Sequence, residues 1–415
     1  MTAFGAKGDG VTDDTAAIQA AITFVCNAYT SPTGGGSIYF PPGVYVLTQA
    51  QLPSTAAIFP LPCPGLHLIG GNGSGAAIGG AQLNRAPQTR LMAHNIGANP
   101  NGAAVFSLTY PNIGSSTFEN LTIDAYNQAI SMYDSNENVL RNVCLTTGAT
   151  GKTDNTPLKI TNGIWEYMYG GCLQAPTGSL PVAIFSGETS LNGEAPLVGL
   201  VYFDGVQGAG GSIEYIQRVN ALCTGPGNFV FRNIPAMESS ASSFFTITNA
   251  TGNPGSTALP QFSEITFDNV TTSDASTSTN ALIELNSSGT ILTGVYVMNG
   301  FAGNAGQGAA VRIDAGTLLN CHVVGGLGAR RKLGGGRKRH ARGRVLDPER
   351  ESLRLHGSDE QHGPAAQRLF PDSRFSRTAV PGNGLGEPVR ERRDRSGDGI
   401  YVQYWNCIRV RDVAG

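Results

Sequence analysis

Phe118-Glu119-Asn120-Leu121-Thr122-Ile123 and, 22 residues on, Leu140-Arg141-Asn142-Val143-Cys144-Leu145 each set an asparagine between apolar residues in a short strand-like segment. The pattern returns in Val230-Phe231-Arg232-Asn233-Ile234, in Ile265-Thr266-Phe267-Asp268-Asn269-Val270 and in Leu318-Leu319-Asn320-Cys321-His322-Val323. Ile291-Leu292-Thr293-Gly294-Val295-Tyr296-Val297 fits it with glycine in the asparagine position, 25 residues after Asn269 and 26 before Asn320. A period in the twenties signals stacked repeats.

Two solenoids have that period, the leucine-rich repeat and the parallel β-helix. The first needs a leucine ladder and a helical segment in each repeat, and neither is present. In the second, nearly the whole rung is strand, the corners accept asparagine in left-handed geometry, and the asparagines of successive rungs hydrogen-bond to one another. A β-sandwich would also show short strands and turn signals, but without a fixed period. The expectation is therefore an all-β fold, a single right-handed parallel β-helix over residues 48–328.

Ahead of the repeats, Thr12-Asp13-Asp14-Thr15 precedes Ile18, Ile22 and Val25, which have helical spacing. A hydroxyl and carboxylates at that point satisfy free amides and favour the positive end of a helix dipole, so a capping helix is expected over 13–27. Ser37-Ile38-Tyr39-Phe40, Pro41-Pro42-Gly43 and Val44-Tyr45-Val46-Leu47 then read as strand, tight turn, strand. Residues 1–47 thus form an amino-terminal cap with the first rung.

Composition agrees. The chain has 415 residues, 56 of them glycine, and only 14% are charged, a turn-rich and polar-neutral globular make-up. No apolar run reaches the length of a membrane-spanning helix. Seven cysteines lie apart without the close pairs of a metal site; they read as small buried hydrophobes, with room for one or two disulfides. The first residues carry no basic-then-apolar leader.

The stretch Phe4-Gly-Ala-Lys-Gly-Asp-Gly-Val-Thr-Asp-Asp-Thr15, with Ile18 and Ile22 after it and Gly35-Gly36-Ser37-Ile38-Tyr39-Phe40-Pro41-Pro42-Gly43-Val44-Tyr45, resembles the amino-terminal signature of the pectate lyase superfamily domain. That domain is the pectin lyase-like right-handed β-helix relative of glycoside hydrolase family 28, also found in phage tailspikes and exo-β-1,3-glucanases. The resemblance is close over residues 3–47 and loose up to 327. It implies that Asp9, Asp13 and Asp14 close the end of the solenoid. It also implies an extracellular, cell-surface or virion-surface setting, a polysaccharide partner and, for a tailspike-like member, a homotrimer.

The chemistry is less plainly marked. Polygalacturonases similar to this group carry Asn-Thr-Asp, Asp-Asp, His-Gly and Arg-Ile-Lys elements along one face, and none occurs here in a suitable rung. A polyuronate lyase needs an arginine base and calcium-binding carboxylates. Residues 1–329 hold only 9 of the 28 Lys and Arg against 19 of the 30 Asp and Glu, a balance that repels a polyanion. No cofactor is expected, and calcium has no ligand motif such as an EF-hand loop.

Hydrolysis needs two carboxyl groups about 5 Å apart for retention or 6.5–9.5 Å for inversion, and rungs about 4.8 Å apart supply such pairs from outward positions. Inward Leu121 and Ile123 turn Asp124 out, and inward Val201 and Phe203 turn Tyr202 and Asp204 out. Glu214 and Glu166 complete the candidate acids: Asp204, Glu214, Glu166 and Asp124. Trp165, Tyr167 and Tyr202 are the candidate sugar platforms. Alternation poses a conflict at Glu166, because outward aromatics would turn it inward unless the rings are core or the strand is bulged.

Strand periodicity stops near Gly328. Residues 329–415, with Arg330-Arg331-Lys332 and Arg337-Lys338-Arg339-His340, read as a shifted reading frame and hence a disordered segment. A basic linker that attracts phosphates is the second reading, while the β-helix itself offers nothing to nucleic acid. The functional expectation is a polysaccharide hydrolase using paired carboxylates on an outward sheet face. The alternatives are a non-catalytic glycan-binding or structural fibre, or a lyase.

Overall fold

The computed structural model describes residues 1–28, 35–48, 57–71, 89–93, 104–109, 114–148, 156–175, 181–188, 198–209, 211–217, 227–238, 243–249, 261–273, 281–299, 309–318 and 321–324. Asn320 and the Arg-rich segment from 329 onward lie outside the described residues. Each turn of the chain visits three sheets in order. Sheet A holds Ser37–Phe40, His67–Gly70, Thr117–Glu119, Val139–Arg141, Ile164–Tyr169 and Gly199–Asp204. It continues with the first parts of Gly227–Glu238 and Gln261–Ser273, the second part of Ala281–Met298, and Cys321–Val324. Sheet B holds Asp9–Asp13, Gly43–Val46, Thr89–Met92, Leu121–Ala125, Cys144–Thr147, Cys172–Gln174 and Gln207–Ala209. Sheet C runs from Phe59–Pro60 and Ala104–Thr109 through Gln128–Tyr133, Leu158–Thr161, Ala183–Gly187, Ile213–Gln217 and Phe245–Asn249 to the first part of Ala281–Met298 and to Ala309–Leu318. All pairings among these strands are parallel and join one turn to a later one, which makes the fold a right-handed parallel β-helix.

The corner from sheet A to sheet B explains the asparagines. Asn120, Asn142, Asn233, Asn269 and Asn299 take φ of 49° to 55° there, with Gly170 and Gly205 in the same role. Asparagine tolerates this left-handed geometry, and its amide then reaches the next rung. Asn142 Nδ2 donates to Asn120 Oδ1 at 2.8 Å, Asn269 Nδ2 to Asn233 Oδ1 at 3.1 Å, and Asn233 Nδ2 to Asp204 Oδ1 at 3.0 Å.

Gly294 is not part of this corner, contrary to its place in the repeat template. It belongs to a second left-handed row at the start of sheet A, with Ser115, Glu137, Trp165, Leu200, Asn228 and Glu264, φ 53° to 59°. The corner residue of its turn is Asn299, φ 51°. Each member of this second row is a left-handed kink repeated in register from rung to rung, and the residue after it faces the interior.

The interior is a stack of apolar side chains. Phe231 meets Phe203 at 5.8 Å, Phe244 at 5.1 Å, Phe245 at 5.4 Å and Phe267 at 5.3 Å between ring centroids. Helix Thr15–Ala28 closes the first turn by burying Ile18, Ala21 and Ile22. It begins two residues later than expected, so the carboxylates precede its first turn. Asp13 Oδ1 accepts the Thr15 amide at 3.0 Å, while the Asp14 carboxylate turns back to the amides of Lys7 (2.7 Å) and Gly8 (3.0 Å). Ser37–Phe40 and Gly43–Val46 do not pair with each other: the prolines between them turn the corner from sheet A to sheet B. Two disulfides form, Cys26–Cys63 at the capping helix and Cys144–Cys172 between neighbouring rungs of sheet B.

Candidate functional site

The structure divides the expected site residues among three surfaces and the interior. Asp124 faces outward from sheet B as expected, yet it is buried and engaged: Arg90 Nη2 donates to Oδ2, and Thr146 Oγ1 to Oδ1 at 2.7 Å. It is thus a largely covered carboxylate paired with an arginine.

Glu166 faces the interior. Trp165 takes a left-handed φ of 56°, so alternation restarts after it, sending Tyr167 and Tyr169 outward and Glu166 inward. The register places Glu166 opposite Val201, and Val201 opposite Phe229 in the following turn. Glu166 Oε1 accepts Ser135 Oγ at 2.7 Å and Asn138 Nδ2 at 3.1 Å, whereas the buried Oε2 has no side-chain partner among the described residues. Burial pushes its carboxyl up to about 8, those hydrogen bonds only partly opposing it. A residue at 1% exposure cannot touch a polysaccharide, so Glu166 leaves the set of outward acids.

Tyr167, Tyr202 and Asp204 share the outward face of sheet A, joined by Tyr169, Arg141, Arg232 and Asp268. The Tyr167 and Tyr169 rings lie parallel at 6.2 Å, and Tyr169 meets Tyr202 at 5.6 Å. The Arg141 guanidinium lies 5.4 Å from the Tyr169 ring centre. Tyr202 Oη donates to Asp204 Oδ2 at 3.2 Å, and Arg232 Nε donates to Asp268 Oδ2 at 3.0 Å. Burial, with Asp204 beside it, raises the Tyr202 hydroxyl above its ordinary value. Trp165, half-buried at the left-handed kink, stands at the start of this strand rather than on its face.

Glu214 lies on a different sheet. Ile213 and Tyr215 are fully buried, which turns Glu214 outward from sheet C. Burial raises its carboxyl above the usual range, and the Ser212 hydroxyl at 3.4 Å partly opposes this. Along the same outward row come Lys159, Ile184, Glu214, Thr246 and Glu284. Glu284, missed by the sequence reading, is nearly buried and accepts Ser243 Oγ at 2.7 Å. The signal was present: Leu282-Ile283-Glu284-Leu285 repeats the pattern Ser212-Ile213-Glu214-Tyr215, a carboxylate between two inward apolar residues. Two rungs separate Glu214 from Glu284, about 9.6 Å between backbones. Among the described residues no group of three His, Cys, Asp or Glu gathers as a metal site, and no helix is long and apolar enough to cross a membrane.

The family described as rhamnogalacturonase A/epimerase, pectate lyase-like, matches residues 1–58. Mannuronan C5-epimerase AlgE5 of Azotobacter vinelandii is 51% identical over 55 residues, 13% of this chain and 5% of that protein. Alginate lyase 7 of the same organism is 49% identical over 55 residues, 13% of this chain and 6% of that protein. The match is thus confined to the cap and first rungs and spans a small part of those relatives. Among solved structures, the tailspike of Escherichia coli bacteriophage HK620 is similar at 11% identity and a TM-score of 0.46, over 76% of this chain and 60% of that one. The Streptococcus pneumoniae surface adhesin PfbA is similar at 14% identity and a TM-score of 0.42, over 78% and 91%. The amino-terminal segment is thus similar to that pectate lyase-like family, and the described turns beyond it wind as a right-handed parallel β-helix.

Proposed function

We propose that the protein hydrolyses a polysaccharide laid across sheet C, with Glu214 as general acid and Glu284 as general base. The observation that carries this reading is the shared outward row of the two carboxylates, two rungs apart. Two glutamate side chains that lean toward each other can bring a backbone separation of about 9.6 Å into the 6.5–9.5 Å range that leaves room for a water, the arrangement of an inverting enzyme. Burial raises the proton affinity of Glu214, as a leaving-group acid requires. Asp204 and Asp268 on sheet A are also two rungs apart, with Arg232 between them bound to Asp268.

A polysaccharide substrate is supported by the matched relatives, an epimerase of mannuronan and a lyase of alginate, and by the continuous parallel sheet that an extended chain can follow. The two disulfides support an oxidising, extracellular or surface setting. The test is release of reducing ends and of unsaturated product on a panel of polysaccharides, with Glu214→Gln and Glu284→Gln beside the native chain. New reducing ends of inverted anomeric configuration are expected, with each substitution lowering the rate about 100-fold or more. An unsaturated product would identify a lyase. Turnover that survives both substitutions would remove the carboxylate pair, and no product on any substrate would favour a glycan-binding or structural fibre.

A further inference from the structure

The outward face of sheet A carries two groups of rings that this hydrolytic reading leaves unused. Tyr167, Tyr169 and Tyr202 form the first. Tyr296 and His322 form the second, stacked at 5.4 Å with ring planes 4° apart. The register Tyr202, Val230, Thr266, Tyr296 puts three rungs between the groups, about 14 Å along the column. The adjacent outward row supplies Asp204, Arg232 and Asp268 over that interval.

These side chains restrict the ligand. Arg232 is tied to Asp268 and also approaches Tyr202 Oη at 3.5 Å, while Asp204 accepts from Tyr202 and Asn233. Between the platforms two carboxylates stand with one guanidinium, so an anionic chain meets net repulsion and the single guanidinium is already occupied by Asp268. Their remaining donors and acceptors suit hydroxyl groups. A tyrosine ring presents an apolar face with a polar edge, which matches a pyranose whose C–H bonds cover one face and whose hydroxyls ring the edge. The rings are also held in advance: Arg141 backs Tyr169, and neighbouring rungs fix the strand beneath them.

We propose that sheet A is a second carbohydrate site, distinct from Glu214 and Glu284, which binds an uncharged polysaccharide along the column axis on two ring platforms three rungs apart. A chain long enough to occupy both platforms makes its second contact within one molecule, at high effective concentration. Affinity therefore rises steeply at the length that bridges them.

The test uses the full chain carrying Glu214→Gln, to suppress turnover, on an array of neutral gluco-, manno- and galacto-oligosaccharides of two to eight residues, with oligogalacturonates of equal length. Long neutral chains are expected to bind about 100-fold more tightly than disaccharides. Tyr202→Ala or Tyr296→Ala should each return long-chain affinity to the disaccharide level without moving the melting temperature. Preference for the uronates, equal affinity at all lengths, or no binding of any neutral chain would overturn the proposal. So would sedimentation in which Tyr202→Ala separates an oligomer into monomers, which would identify the face as a contact between copies. Loss of hydrolysis in Glu214→Gln with array binding intact distinguishes this site from the one on sheet C.

Discussion

Replacing Glu166 by glutamine should abolish a pH dependence of stability that the native chain carries. The carboxyl is buried where the following turns place Val201 and Phe229, and it is pushed up to about 8 from an ordinary 4.5. Between those values the folded protein holds a proton that the unfolded chain has released, so stability falls as pH rises. The loss is about 1.4 kcal/mol per pH unit, hence about 3 kcal/mol between pH 5 and pH 7. The contribution is complete below pH 4.5 and fully lost above pH 8. Glutamine keeps an oxygen to accept from Ser135 and Asn138 but has no proton to lose. Guanidinium midpoints followed by Trp165 fluorescence at pH 5, 6, 7 and 8 would measure both proteins. The difference in stability should widen by about 3 kcal/mol in favour of Glu166→Gln from pH 5 to pH 7. Parallel curves for the two proteins would refute a buried neutral acid at this position.

Other perturbations test the frame of the column. Asn142→Ala should cost about 2–3 kcal/mol in denaturant melts, the left-handed backbone at φ 49° and the lost amide bond to Asn120 both contributing. Asn142→Gly keeps the backbone geometry and should cost about 1 kcal/mol; glycine proving worse than alanine would contradict the assignment. Cys144→Ser with Cys172→Ser opens a 28-residue loop and should cost about 3–4 kcal/mol, a loss that reductant should reproduce in the native chain. Phe231→Ala removes a ring in contact with five others and should cost about 3–5 kcal/mol, read as a shift in thermal midpoint.

Much of the column was legible because the backbone itself demands it. Asparagine is favoured where a left-handed corner must also hand a side-chain amide to the next rung, so Asn120, Asn142, Asn233 and Asn269 marked the corners directly. The same rule misplaced Gly294, since glycine satisfies any left-handed position and cannot by itself say which of two such rows it serves. Asn299, five residues later, was the true corner. At Trp165 the rule was silent. A tryptophan with positive φ has no local signature, and the conflict between outward tyrosines and an outward Glu166 was the only trace of the left-handed kink.

The dispersal of the candidate acids has a different cause. Alternation tells whether a side chain faces in or out, but a three-sheet column has three outsides. Asp204 and Glu214 are ten positions apart and lie on sheets A and C, because the chain passes through sheet B between them. Glu214 and Glu284 are 70 positions apart and lie in one row. Chemistry along such a column depends on residues separated by whole turns, and the turns differ in length: Glu214 to Thr246 is 32 residues, Thr246 to Glu284 is 38. The corners and strands are held nearly constant by hydrogen bonding between rungs, so the variation falls on the connections between sheets, where added residues raise the loop-closure cost only slowly. Those connections erase the arithmetic by which a carboxylate in one turn could be matched to its partner two turns later.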